Sequence, residues 1–249
     1  MGLLLKIGTF GDVAAEDDDA VMSYFLKTEA VDQIESGNKF VVIGRKGSGK
    51  TALAKYFSQP KKAYVTTAPS LRDYPWNLHG KRRNRGASEI ESYVSSWRYL
   101  IAVKANAILL EQKGMGSQTD AQRAARQFLT DNYGGINPDL GAILAPTKIK
   151  FSGGSFKPSI LGNSLGSLEF ENPNGGLAPE VDALTDILLE NANTIASQTG
   201  TASVFIHFDE LDQGLLTLDA KRQEMITGLI LAVRSIRNMP SVRRQNIWH

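Results

Sequence analysis

Cysteine is absent from all 249 residues, which excludes disulfides and thiolate metal sites and fits a reducing compartment. No apolar run approaches the roughly 20 residues that cross a bilayer as a helix. The opening Met1-Gly2-Leu3-Leu4-Leu5-Lys6 lacks the apolar stretch of a secretory signal, and Lys6 stands where a myristoylation motif wants Ser or Thr. There is no internal repeat and no low-complexity tract. Charge imbalance is small, 28 Lys and Arg against 26 Asp and Glu, so net charge argues neither for nor against nucleic acid. These absences lead to the expectation of a soluble, cytoplasmic protein with no membrane partner. The content that remains is globular: 42% hydrophobic and 22% charged, in a chain long enough to bury a full core.

The most informative stretch is Gly44-Arg45-Lys46-Gly47-Ser48-Gly49-Lys50-Thr51, a complete G-x-x-x-x-G-K-[ST] phosphate-binding loop. The apolar run Phe40-Val41-Val42-Ile43 before it predicts a strand. Ala52-Leu53-Ala54-Lys55-Tyr56-Phe57 after it predicts a helix. Glycines let the backbone turn tightly and approach phosphate oxygens where a Cβ would collide. The amides of residues 44–52 then point at the anion, with the helix dipole behind them. Lys50 is the expected counter-charge for the β- and γ-phosphates, and the Thr51 hydroxyl the expected Mg²⁺ ligand. A chance match in a chain this long has a probability of roughly 1%, so the motif outweighs every compositional signal.

Along the rest of the chain, Glu16-Asp17-Asp18-Asp19 precedes Val21, Tyr24, Phe25 and Val31 at helical spacing. The acids read first as a helix cap and second as magnesium ligands. Lys62 to Thr67 predicts a strand, and residues 68–87 a surface loop holding Lys81, Arg82, Arg83 and Arg85. That basic cluster could hold a nucleic-acid backbone, though a solvated loop is the simpler reading. A capping box at Ser88-Glu89-Ile90-Glu91 opens a helix that runs to Gly114. Its Ile90, Tyr93, Val94, Trp97, Ile101 and Ile108 form one apolar face, predicted to pack on the sheet rather than to stack a nucleotide.

From 116 to 175 the texture changes. A polar helix near Asp120 to Asp131 precedes a predicted hairpin, with Ile149 and Phe151 before Gly153-Gly154 and Phe156 after, and a strand at Leu168 to Phe170. This reads as an insertion carrying a small antiparallel sheet, used for partner contact or as a lid. A helix is expected over Pro179 to Thr199 with Gly200 closing it, then a buried parallel strand over Ala202 to Phe208. A last helix is expected from Asp219 to about Asn238.

That strand ends in Asp209-Glu210-Leu211-Asp212, four mostly apolar residues followed by Asp-Glu, the Walker B pattern. In an open parallel sheet, ligands sit beyond the carboxyl ends of the strands. Asp209 is therefore the expected Mg²⁺ group, acting through water, and Glu210 the group that orients and deprotonates the attacking water. Asp212 is either a further acid at the site or a helix cap. His207 shares a strand side with Asp209 and reads as a hydrogen-bonded core imidazole before a catalytic one.

With both motifs in order, the chain resembles the additional-strand, catalytic-glutamate branch of P-loop ATPases. Phe40 to Leu53 and Phe205 to Asp212 carry the resemblance. Phe10-Gly11-Asp12, Ala15-Glu16-Asp17, Tyr74-Pro75-Trp76 and Ser96-Trp97 are similar to features of a little-characterised bacterial group within it. The resemblance implies a three-layer α/β fold with a mainly parallel sheet, the Asp209 strand lying between the strand that feeds the phosphate loop and its former neighbour. It implies ATP and Mg²⁺ as ligands. Asp212 is similar to an acid of signal-transducing and origin-recognition-like members, which work as assemblies, some in bacterial defence. The resemblance also implies a further core strand carrying a polar sensor, then a helical domain supplying arginine contacts. The chain reaches Arg243-Arg244-Gln245-Asn246-Ile247-Trp248-His249 where that strand would start. The expectation is thus a P-loop core over 1–249, truncated at its C-terminal end, with its sensor and arginine finger unassigned.

The expected function is Mg²⁺-dependent hydrolysis of ATP to ADP and phosphate, coupled to rearrangement of an assembly. The alternative is a nucleotide-gated oligomeric switch or scaffold with little turnover. No Asn-Lys-x-Asp guanine signature follows the loop, so GTP is disfavoured. A small-molecule kinase keeps the same phosphate donor, but Glu210 beside Asp209 favours water as acceptor.

Overall fold

A computed structural model describes residues 18, 20–45, 47–59, 64–69, 88–111, 118–144, 146, 148–151, 168–171, 179–209, 211 and 220–240. Packing divides the chain after Pro60 into two compact units.

In the first unit, a 3-10 turn at Val21–Ser23 precedes helices α1 (Glu29–Glu35) and α2 (Lys50–Ser58). Of the acidic run only Asp18 is described, and the turn at Val21–Ser23 has Ala20 as its N-cap with no side-chain cap bond. Asp18 is buried, and its carboxylate accepts from the Ala20 amide and the Tyr24 hydroxyl. Tyr56 ties α2 to α1, stacking on Phe25 at 4.7 Å and donating to Glu35 at 3.1 Å. Lys27 pairs with both Asp32 and Glu35 on α1.

The Phe40–Ile43 strand expectation is not met. These residues belong to no strand and are exposed, Ile43 to 93%. β-Branched residues favour extended backbone, but a strand exists only where a neighbour completes its ladder. No such ladder is formed here among the described residues.

The second unit is built around α3 (Glu89–Glu111). Its capping box forms as the sequence predicts: the Ser88 amide donates to Glu91 Oε2 at 2.8 Å and the Glu91 amide to Ser88 Oγ at 3.2 Å. The single apolar face predicted for this helix is too narrow. Tyr99 to Val103 and Ala105 to Leu110 are all buried, so α3 is enclosed rather than laid on a sheet. Around it pack α4 (Asp120–Tyr133), the short α5 (Leu140–Leu144), α6 (Pro179–Thr199), α7 (Ala220–Asn238) and the strands β1 (Tyr64–Thr67) and β4 (Ser203–Ile206). The α3–α7 contact is close enough that a Cβ on Gly228 would lie 2.6 Å from Tyr93 Cβ. Trp97 is fully buried, donates its indole N–H to Met225 O at 2.9 Å, and meets Phe208 edge-on. The core-packing role expected of it holds.

Two asparagines in this core pair with each other and with backbone carbonyls. Asn106 Nδ2 donates to Ala102 O and Leu188 O, and Asn191 Nδ2 to Asn106 Oδ1 and Ala121 O. One network thereby joins α3, α4 and α6. Helix α4 begins in a Thr119–Gln122 capping box and ends at Gly134 in the left-handed conformation. The β strands form two separate pairs. β1 and β4 are parallel, Tyr64 opposite Ser203 through Thr67 opposite Ile206. β2 (Lys148–Phe151) and β3 (Leu168–Glu171) are antiparallel, Ile149 opposite Phe170. The predicted hairpin turn at Gly153-Gly154 and Phe156 lie outside the described residues; the observed partner of 148–151 is the 168–171 strand. The architecture is helix-rich with a small parallel β pair, compatible with an α/β class. Among the described residues no helix is long and apolar enough to cross a membrane.

One half-buried acid sets a pH dependence. Burial pushes the Asp182 carboxyl above the usual range, a Ser95 hydrogen bond and Arg98 pull it back, and Asp186 adds to the rise. The folded state thus holds this proton more tightly than the unfolded chain. The stability it contributes is complete below the ordinary carboxylate range and is lost as pH rises through the raised value. Asp182→Asn should melt higher than the parent at pH 7, and the two midpoints should converge below about pH 4. A lower midpoint for the variant at pH 7 would show that attraction to Arg98 outweighs the cost of burial.

Candidate functional site

Residues 44–52 belong to the first unit and Asp209 to the second. Within the loop, Gly47 and Gly49 adopt φ of 81° and 86°, left-handed values that any side chain would strain. The Ser48 amide donates to Arg45 O at 3.1 Å, closing a tight turn. At Gly44 a Cβ would sit 2.2 Å from Ser48 Oγ, so a side chain there would force the serine hydroxyl to turn away. Gly47 and Gly49 thus have a conformational reason to be glycine.

Lys50 reaches back across this turn. Its Nζ donates to Gly44 O at 2.9 Å and Arg45 O at 3.2 Å. The ammonium is held over the loop by two of the loop's own carbonyls, and an ammonium has a third hydrogen to offer a ligand. The Leu53 amide donates to Gly49 O at 2.9 Å, beginning α2 at Lys50. Gly49 is the N-cap and makes no side-chain cap bond. The first-turn amides of Lys50, Thr51 and Ala52 are thus donors at the positive end of a helix dipole. Thr51 is half-buried on this turn. Lys46 lies outside the described residues.

Asp209 follows the carboxyl end of β4, in the second unit. The His207 amide donates to Thr67 O at 2.9 Å, carrying the β1–β4 ladder one residue past the strand. Side chains alternate across the strand. Phe208 turns toward Trp97 of α3, with ring centroids 5.4 Å apart. Phe205 and His207 occupy the other face, their rings stacked at 5.9 Å and 10°, with Tyr64 against Phe205 at 5.3 Å. His207 Nε2 lies 2.9 Å from Thr66 Oγ1 on β1. Asp209 follows, half-buried, just beyond the strand end. The imidazole is hydrogen-bonded, as expected, but only half-buried. Its partner Thr66 was not singled out from sequence, although a threonine near the end of a predicted strand was visible there.

Glu210, Asp212 and the Lys81, Arg82, Arg83 and Arg85 cluster lie outside the described residues. Among the described residues no group of three or more His, Asp or Glu side chains is arranged to hold a metal ion by itself. Comparison of the chain with protein-family models, with curated proteins and with solved structures gave no match.

Proposed function

We propose that the chain is an ATP-binding P-loop protein of three-layer α/β type that hydrolyses ATP with Mg²⁺. The observation that carries this reading is the Lys50 ammonium bridging Gly44 O and Arg45 O, inside a turn made by left-handed glycines and ahead of an N-terminus capped by glycine. A turn that merely linked two elements would not need a lysine tethered back over it. Together these features supply converging donors and one positive charge, which is what a polyphosphate requires.

In this reading the amides of residues 44–52 bind the phosphate chain, and Lys50 draws charge from the β- and γ-phosphates as the bond to the leaving group lengthens. Mg²⁺ takes one or two protein oxygens and fills its remaining positions with water and phosphate, so Thr51 and Asp209 suit it, and when bound it would neutralise phosphate charge. Glu210 accepts the proton of the attacking water. ATP is favoured over GTP by the missing guanine signature. The coupled event is rearrangement of an assembly; a protein partner or a second copy of this chain is the expected partner.

Calorimetric titration of ATP, with and without Mg²⁺, against the chain and its Lys50→Ala variant tests the assignment. Losing an ammonium bonded to phosphate should weaken binding about 10- to 100-fold. Equal affinity in parent and variant would remove Lys50 from the site and the proposal with it.

A further inference from the structure

Two residues before Asp209, the structure contains a side-chain hydrogen bond that crosses from β1 to the end of β4. We propose that the hydrogen bond between Thr66 and His207 positions Asp209 for Mg²⁺, an inference that rests on the ATP-binding reading above. Thr66 stands one residue from the end of β1, and its Oγ1 meets His207 Nε2 at 2.9 Å. The His207 backbone is tied to the same strand by its amide bond to Thr67 O. The ring is fixed on its flat side as well, stacked on Phe205, which is 1% exposed. Backbone, ring edge and ring face of one residue are thus each held, at the point where the ladder runs out.

Strand ends fray, because terminal amides lose ladder partners and compete with water. Asp209 lies past that end, and how firmly the preceding residues are held contributes to the direction of its carboxylate. Alternation places Asp209 on the His207 side of the chain. Immobilising His207 therefore restricts the conformations open to Asp209. The contact tolerates either neutral tautomer: the threonine hydroxyl donates to a bare Nε2 or accepts from a protonated one. Thr66 and His207 are positioning residues in this scheme, and neither touches phosphate or metal. Residues that orient a metal group from behind cost about 10–100-fold in metal affinity when removed.

The test compares ATP binding as a function of Mg²⁺ concentration in the full chain and in Thr66→Val, Thr66→Ser and His207→Phe. Valine preserves the shape and β-branching of threonine, and phenylalanine preserves the stack on Phe205, so both variants remove the hydrogen bond with little change in packing. Each should need about tenfold more Mg²⁺ to reach half of the metal-dependent gain in ATP affinity. Binding without Mg²⁺ should be unchanged. Thr66→Ser keeps the hydroxyl and should return the Mg²⁺ requirement to within about twofold of the parent. An unaltered Mg²⁺ requirement in Thr66→Val, or a serine variant as impaired as the valine one, would overturn the inference while leaving ATP binding intact. A parent chain that binds no ATP at all would overturn the functional proposal and this inference together.

Discussion

Glu210→Gln protein is expected to bind Mg²⁺-ATP with the parent's affinity and to release phosphate about 10²–10⁴ times more slowly. Glutamine retains the length and hydrogen-bonding shape of glutamate but cannot take a proton from water. The substitution therefore separates the chemical step from nucleotide binding. Steady-state phosphate release and ATP titration on the same preparation read the two quantities independently. If turnover falls while binding persists, Glu210 is the base. If parent and variant release phosphate at one rate, Glu210 has no part in the reaction. A parent that binds ATP tightly but shows no turnover would favour the nucleotide-gated switch over the hydrolase. Lys50→Ala and Glu210→Gln thus fail in different ways, the first in affinity and the second in rate.

Local signals carried much of this fold in the sequence. Ser88 and Glu91 meet as the S-x-x-E spacing requires. Pro179 opens α6, and Gly200, at φ 69°, follows its last residue, where proline and glycine punctuation placed them. The apolar run after Gly200 is a buried parallel strand, as its lack of alternation indicated. The second capping box, Thr119 with Gln122, has an equally plain T-x-x-Q spacing.

Facts that depend on distant parts of the chain were harder to read. Ala102, Ala105, Ser96 and Asn106 look neutral in a periodicity count, yet all are buried because helices close around α3 on several sides. Nothing local indicates that Asn106 will find Leu188 O and Asn191, more than 80 positions away. Phe40 to Ile43 shows the reverse error. Its composition is that of a strand, but composition cannot supply the neighbour a ladder requires. At the candidate site, the tight turn and Lys50 lie in one contiguous stretch, so their local geometry was legible. The Thr66–His207 contact was not, since it joins residues 141 positions apart.

Trp97→Ala should produce the largest loss of stability of any single substitution considered, about 3–5 kcal/mol. The side chain is 0% exposed, so its full area returns to an unfilled space when truncated. That space cannot readily collapse, because α3 and α7 already meet at Gly228 and Tyr93, where even one added carbon would lie at 2.6 Å. Since whole domains are stable by about 5–15 kcal/mol, this single cavity takes a large share of the margin, and the melting midpoint should drop by roughly 10 °C. Trp97→Phe keeps most of the volume and loses the bond to Met225 O. It should cost only about 1–2 kcal/mol, hydrogen bond and residual gap together. Urea unfolding of both variants would decide the matter. An alanine variant within about 1 kcal/mol of the parent would mean that the pocket refills and α3 is not the pillar of the core. The effect should also reach the acidic half of the candidate site. Trp97 backs Phe208, the residue immediately before Asp209, on the face opposite His207. If Asp209 serves Mg²⁺ as proposed, loosening that face should raise the Mg²⁺ needed for ATP binding even at temperatures where Trp97→Ala remains folded.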